Sequence, residues 1–372
     1  MSFDSTKRTL HDILRDVDAG KLQLPDFQRS YVWTDEDLRS LLASIASGYP
    51  VGALLTLQTG GEVRFKPRPV EGAPAQGRDP EELLLDGQQR ITSLYRSAFS
   101  PTPVQTRSAK GRRIERHYYL DIRRALDAAH ELEAGSVGGR GDRVERDDVG
   151  GGVVRDLSTR AGEHEHDLFP LDQAFDYMDW YFGWRDHWRD RPREDDLIRR
   201  GDGFFKSVVE RIKSYEMPII RLSRDNSRAA VCTVFEKVNV GGKKLDAFEL
   251  VTAIYAGDGY DLREDWLGPH GRHDEGRRAR LVGVGAANAR DVLRPVTPVD
   301  HLKTCSLLHT RERRLAEEAK GASGPALPRI ACDRDAVLAL PLAAFRAHAD
   351  AAEAGLLAAA SFVNARKLIW EG

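Results

Sequence analysis

The sequence predicts an α+β protein with a mixed N-terminal region (residues 1–265) and a mainly helical region (266–372). Three observations carry this. Short apolar runs of strand length recur at VGALLTLQT, ELLLD, HYYLDI and MPIIRLS. Between them lie segments with apolar residues at helical spacing. From about Tyr260 onward the pattern is alanine-rich and helical, interrupted by Gly/Pro loops.

The first segment, TKRTLHDILRDVDAG, reads as an amphipathic helix with Leu10, Ile13, Leu14 and Val17 on one face, closed by Gly20. LQLPDFQRSYVW follows, and its Pro25 disfavours a helix. Thr34 then opens a capping box with Asp37, and Leu38, Leu41, Leu42 and Ile45 form the stripe of a second helix, stopped by Gly48 and Pro50. VGALLTLQT predicts a buried strand and residues 60–81 a loop. ELLLDGQQRITSLYRSAF is strand, tight turn and helix, with Ile91, Leu94, Tyr95, Ala98 and Phe99 at core spacing.

Past the strand HYYLDI, glycines and mixed charges over 131–167 suggest an insertion or mobile loop. HEHD (164–167) inside it reads as a solvated charge cluster. Trp180, Trp184 and Trp188 recur every four residues, which fits the packed face of one helix better than a base-stacking platform. MPIIRLS is a strand, and Val231, Val234, Phe235 and Val238 mark a helix. Asp246 with Glu249 caps the next one, DAFELVTAIYAG.

Composition bounds the function. The chain has 372 residues, 41% hydrophobic and 31% charged, enough for about two packed domains. No apolar run approaches the roughly 18 residues that span a bilayer, so no membrane role is expected. Three cysteines without metal-ligand spacing suit a cytoplasmic protein. A net charge of −2 means that any nucleic-acid surface must be local. Two basic runs qualify: Arg107, Lys110, Arg112, Arg113, Arg116, Arg123 and Arg124, then Arg272, Arg277, Arg278 and Arg280.

Three segments bear chemistry. In Asp86-Gly87-Gln88-Gln89-Arg90, strand, glycine turn and helix can present backbone N–H groups to a phosphate. Arg90 opposes the helix dipole, so a bound anion would explain it; Gln88 and Gln89 would orient a water or phosphate oxygens, and Asp86 a divalent ion. Capping is the competing account: Asp86 as N-cap, Gln89 as its partner. In PDFQRSYVW, alternation puts Phe27, Arg29, Tyr31 and Trp33 on one face, an aromatic wall beside a cationic fork. Core packing explains it equally well. In FEKVNVGGKKLDAFEL, Asn239, Gly242 and Lys243 lie in a turn between helices, a weak signal alone.

Taken in order, QR-x-Y-x-W, D-G-Q-Q-R and F-E-K-x-N-x-G-G-K-x-L-x-x-F-E-L resemble the N-terminal domain of GmrSD-type, modification-dependent restriction proteins, over roughly residues 8–256. The resemblance implies a ParB/sulfiredoxin-like fold and an NTPase, GTP being the foremost nucleotide, with Mg2+ and stimulation by modified double-stranded DNA. Asp86, Gln88, Gln89 and Arg90 would be catalytic. Gly87, Arg90, Gln28, Arg29, Asn239, Gly242 and Lys243 would bind nucleotide. The layout is similar to phosphorothioate-sensing members. For those, Pro25, Gln28, Arg29, Tyr31, Val32 and Trp33 would face the modification, because sulfur gains from apolar walls where oxygen loses hydration. Arg107, Lys110, Arg112 and Arg113 would hold the DNA backbone.

A sulfiredoxin-like reductase is excluded, since no cysteine precedes Cys232. Still open are a nucleotide-switched DNA-binding module without turnover, a sensor of glucosylated bases, and a ParB-like nuclease. A homo-oligomer is allowed for. No nuclease motif is found before the chain ends at ARKLIWEG, so the expectation is a truncated or nuclease-less member.

Overall fold

The computed structural model describes residues 1–127, 137–140, 144–146, 153–189, 195–238, 246–269, 272, 274–282 and 291–366. Contacts divide the chain into two compact units: Phe3–Thr59 with Pro67–Ser223, and Met1–Ser2 with Gly60–Lys66 and Arg224–Gly372.

The first unit runs β1 (Phe3–Thr9), α1 (Leu10–Asp18), β2 (Leu22–Pro25), α2 (Asp35–Ser47), β3 (Leu54–Gln58), β4 (Pro67–Arg68), β5 (Glu82–Asp86), α3 (Gln88–Ala98), β6 (Val104–Arg107) and β7 (Arg113–Asp121). It continues through α4 (Ile122–Asp127), β8 (Val137–Arg140), β9 (Val144–Arg146), β10 (Val153–Asp156), α5 (Arg160–Glu165) and β11 (Leu168–Pro170). It closes with α6 (Met178–Arg189), α7 (Asp195–Phe204), a widened helical turn at Phe205–Val209, α8 (Glu210–Lys213) and β12 (Glu216–Leu222).

A six-stranded mixed sheet, ordered β1-β12-β3-β5-β2-β4, forms its centre; β12 and β3, and β2 and β5, pair in parallel. Leu54, Leu55 and Leu57 of β3 and Leu83, Leu84 and Leu85 of β5 are all buried, as strands covered on both faces must be. Leu10, Ile13, Leu14 and Val17, then Leu38, Leu41, Leu42 and Ile45, then Ile91, Leu94 and Tyr95 pack into one core with Leu22, Leu24, Leu54 and Leu84. The Thr34–Asp37 capping box forms, and Gly48 ends α2 at φ 80°. A second sheet is ordered β11-β7-β6, with β8 also on β7.

Three expectations are corrected. Phe3–Thr9 is a strand, and the first helix begins only at Leu10, with Thr9 as its N-cap. That strand lies at the sheet edge and is mostly exposed, so its side chains carry no alternation to read. The described parts of 131–167 are not loop throughout: β8, β9, β10 and α5 lie there. Gly139 read as a loop signal, yet a Cβ on it would stand 2.7 Å from Asp35 Oδ1, so it lets β8 approach α2 closely. His164 and Asp167 are buried, not solvated. Trp180 donates to Glu163 (2.9 Å) and Trp184 to Asp167 (2.7 Å), so the tryptophan stripe packs on that segment as core.

The second unit holds α9 (Arg228–Val238), α10 (Ala247–Gly257), α11 (Leu262–Leu267), α12 (Arg277–Val282), α13 (Pro298–Ala319), α14 (Arg334–Leu338) and α15 (Leu342–Ala365). The Asp246–Glu249 capping box forms at the start of α10. Among the described residues no helix is long and apolar enough to cross a membrane.

Candidate functional site

Asp86 ends β5 opposite Leu55 of β3, and Gly87 turns the chain at φ 96° into α3. Only glycine suits this turn: the angle is left-handed, and a Cβ would come within 2.4 Å of Leu54 Cδ2. Gly87 is itself the N-cap and supplies no side-chain cap, so the capping account built on Asp86 and Gln89 does not describe the turn. Within the helix the first bond runs from Ile91 N–H to Gly87 O. The amides of Gln88, Gln89 and Arg90 are thus left without a backbone or capping acceptor among the described residues.

Arg90 is not waiting in solvent. Its Nη1 donates to Val51 O (2.7 Å), and its Nη2 to Ala53 O (2.9 Å) and Asp86 Oδ2 (3.2 Å). With 16% of its side chain exposed, it clamps the 51–53 segment against the turn. A cation at this helix start is therefore explained without any bound anion. Its Nε–H and one Nη1–H meet no protein acceptor among the described residues, and Asp86 Oδ1 meets no donor there.

The structure brings two of the three sequence motifs together. Gln28 donates to Leu84 O (2.8 Å) and Leu85 O (2.9 Å) at the end of β5, while its Oε1 is buried without a partner among the described residues. Gln88 donates to Arg29 O. Gln89 accepts from Val32 N–H (2.9 Å) and donates to Ser30 O (3.3 Å). Three glutamines thus lace the 28–32 segment to the turn, using side-chain amides on main-chain groups.

Simple alternation fails along that segment. Arg29 and Val32 are exposed, Tyr31 is half-buried, Trp33 packs partly against the core, and Pro25 is buried in β2. Tyr31 shares a hydrogen bond with Ser93 Oγ (2.9 Å), and the Arg96 guanidinium lies 5.7 Å from its ring centre. Burial pushes the Tyr31 phenol up, against the smaller effects of Ser93 and Arg96, and keeps it protonated. Sequence reasoning missed two supports from the stretch read as loop. Glu71 accepts from Tyr31 N–H (2.8 Å), and Arg68 donates to Gln28 O (3.1 Å) and Arg29 O (3.3 Å). Nothing periodic marks either residue. Asn239, Gly242 and Lys243, with Gly241 and Lys244, lie outside the described residues.

The two basic runs part company. Arg107, Lys110, Arg112 and Arg113 crown the β6–β7 hairpin, all exposed and without an ion pair among the described residues. Arg107 and Arg113 stand directly opposite in register, a like-charge pair that costs stability unless an anion bridges it. In the second run Arg277 is buried against Asp265, Asp350 and Glu353, and Arg280 holds Glu353. Those two are internal wiring, whereas Arg272, paired with Glu275, and Arg278 are exposed. Arg123 is likewise paired with buried Asp167, and Arg124 with Asp121.

Residues 10–256 match the family model described as the GmrSD restriction endonuclease, N-terminal domain. The chain is also similar to a protein of Methanocaldococcus jannaschii described as uncharacterized, at 25% identity over 276 residues. That alignment covers 72% of this chain and 44% of the relative, so the chain spans less than half the length of the curated protein it matches.

Proposed function

The chain belongs to the GmrSD restriction endonuclease N-terminal domain family, and from that premise we propose that the Asp86–Arg90 turn binds and hydrolyses a nucleoside triphosphate, GTP foremost, in response to modified DNA. The carrying observation is the α3 start. Among the described residues, three amide N–H groups stand without an acceptor behind a left-handed glycine, an arrangement that suits phosphate oxygens. Arg29 is exposed, without an ion pair among the described residues, on the segment laced to that turn. It supplies the cation that Arg90, occupied with carbonyls, supplies only in part. The free Oδ1 of Asp86 fits Mg2+, which binds through one or two carboxylates together with substrate phosphates. The ion would offset charge developing on the transferred phosphoryl group.

DNA would lie on the hairpin crown, where Arg107, Lys110, Arg112 and Arg113 meet backbone phosphates. Val32, exposed three residues from exposed Arg29 on the same segment, would offer an apolar contact in addition to a cation, which suits a phosphorothioate better than a sugar-bearing base with many hydroxyls. Pro25, buried in β2, takes no part in this reading.

One observation favours a second reading, a nucleotide-binding switch without turnover. The Gln88 and Gln89 amides are engaged with main chain of residues 29–32, so neither stands ready to orient a water. Phosphate release and nucleotide binding by the purified chain, each with plain, phosphorothioate and glucosylated duplexes, separate the readings. The expected result is Mg2+-dependent release raised by the phosphorothioate duplex and lost in Arg29→Ala at unchanged unfolding midpoint. Binding without release supports the switch. Neither binding nor release with any duplex overturns both.

A further inference from the structure

The geometry points to a divalent transition-metal site of the zinc class on the second unit, formed by His309 and Glu312 of α13 with His348 of α15. It is independent of the nucleotide reading. His309 and Glu312 stand three apart on one helix face, one turn from each other. His348 comes from α15, with its ring centre 6.1 Å from that of His309 and its Nε2 3.0 Å from Glu312 Oε2. One ligand atom from each of the three residues lies within 4.8 Å of the others. Around an ion bound at about 2.0–2.2 Å those separations close to about 3.3 Å, within reach of side-chain rotation.

The donor set selects the metal. Two imidazole nitrogens and one carboxylate suit Zn2+, Co2+, Ni2+ or Cu2+, whereas Ca2+ and Mg2+ require mostly oxygen. Both rings are half-buried, which limits their rotamers before the ion arrives, while Glu312 is exposed and free to swing. Neither ring nitrogen of His309 has a hydrogen-bond partner among the described residues. Arg313 is the cation that works against a bound ion here, and Glu312 offsets it. Three protein ligands leave a coordination position for water. Because the ligands come from two helices, the ion would fasten α13 to α15.

The competing account is a surface His348–Glu312 ion pair with His309 beside it by chance. Metal-stripped, tag-free full chain titrated with Co2+ and Zn2+ decides. The expected result is one Co2+ per chain with a visible absorption band, displaced by Zn2+, and a thermal midpoint raised by Zn2+. H309A and H348A should each weaken binding by about tenfold or more and remove the band. E312Q, a change at an exposed position that leaves the helices packed, should weaken binding and shift the band. Wild-type protein showing neither band nor midpoint shift overturns the site, as does a band surviving in the H309A/H348A double variant or unmoved by E312Q.

Discussion

At the scale of single residues, Arg90 and Gly87 carry opposite lessons. The sequence shows that a cation at a helix start is anomalous, and this much was legible in five letters. What satisfies it was not, because the acceptors Val51 O and Ala53 O lie some forty positions away and belong to main chain that any residue would present. The three glutamines were legible as unusual but not as laces, for the same reason. Removing the clamp leaves two carbonyls and Asp86 without their donor, so Arg90→Ala should cost about 2–3 kcal/mol in urea unfolding. Gly87→Ala meets both the left-handed angle and Leu54 and should cost about 1–3 kcal/mol. Both variants should also lose nucleotide binding, so only Arg29→Ala separates chemistry from scaffold. An Arg90→Ala protein that unfolds at the wild-type urea midpoint would contradict the clamp.

Among elements, those with one apolar stripe or a wholly apolar run were legible: α1 past its first turn, α2, β3, β5, α3, β12 and α10 all fall where their patterns put them. The misses are elements whose identity comes from a neighbour. β1 is polar and edge-paired to β12, and β8 is glycine-rich and exists because β7 offers it a register. α5 is another such case. HEHD looks hydrophilic, yet its His164 and Asp167 are buried against α6: Trp184 donates to Asp167, and His164 stands edge-on to Trp180 with centres 4.6 Å apart. Burial, then His187 and Arg160, pushes the His164 imidazole down to about 4. Above the ordinary value of 6.5 both folded and unfolded forms are neutral and the group is silent. As pH falls below that, the unfolded chain takes up a proton that the folded chain refuses, so stability drops until about pH 4. The loss should reach at most about 3 kcal/mol, because each tenfold difference in proton affinity between the two forms corresponds to about 1.4 kcal/mol. Urea midpoints measured across this window should fall more steeply for wild type than for His164→Leu. Parallel profiles would show that the ring is solvated after all.

At the scale of the molecule, the limit drawn at residue 265 follows motifs, whereas contacts divide the chain between Ser223 and Arg224. The family match, 10–256, crosses that division. The reason is visible in the second unit, which claims Gly60–Lys66 from within the N-terminal half. Val63 and Phe65 are buried there, Glu62 pairs with Arg228, and a Cβ on Gly61 would lie 2.0 Å from Arg224 O. Likewise Gly257 lies against Arg64, with room for no side chain. A cut after Ser223 would strip every one of these partners at once and leave two large apolar side chains in water, at a cost of about 1.5–3 kcal/mol each. A 1–223 fragment should therefore bind a hydrophobic dye and self-associate in gel filtration. Replacing Val63 and Phe65 with serine should reduce both effects in the fragment while destabilising the full chain. A monomeric, dye-silent 1–223 fragment would mean that the 60–66 segment refolds onto the first unit and that contacts, rather than motifs, mark an independently folding piece.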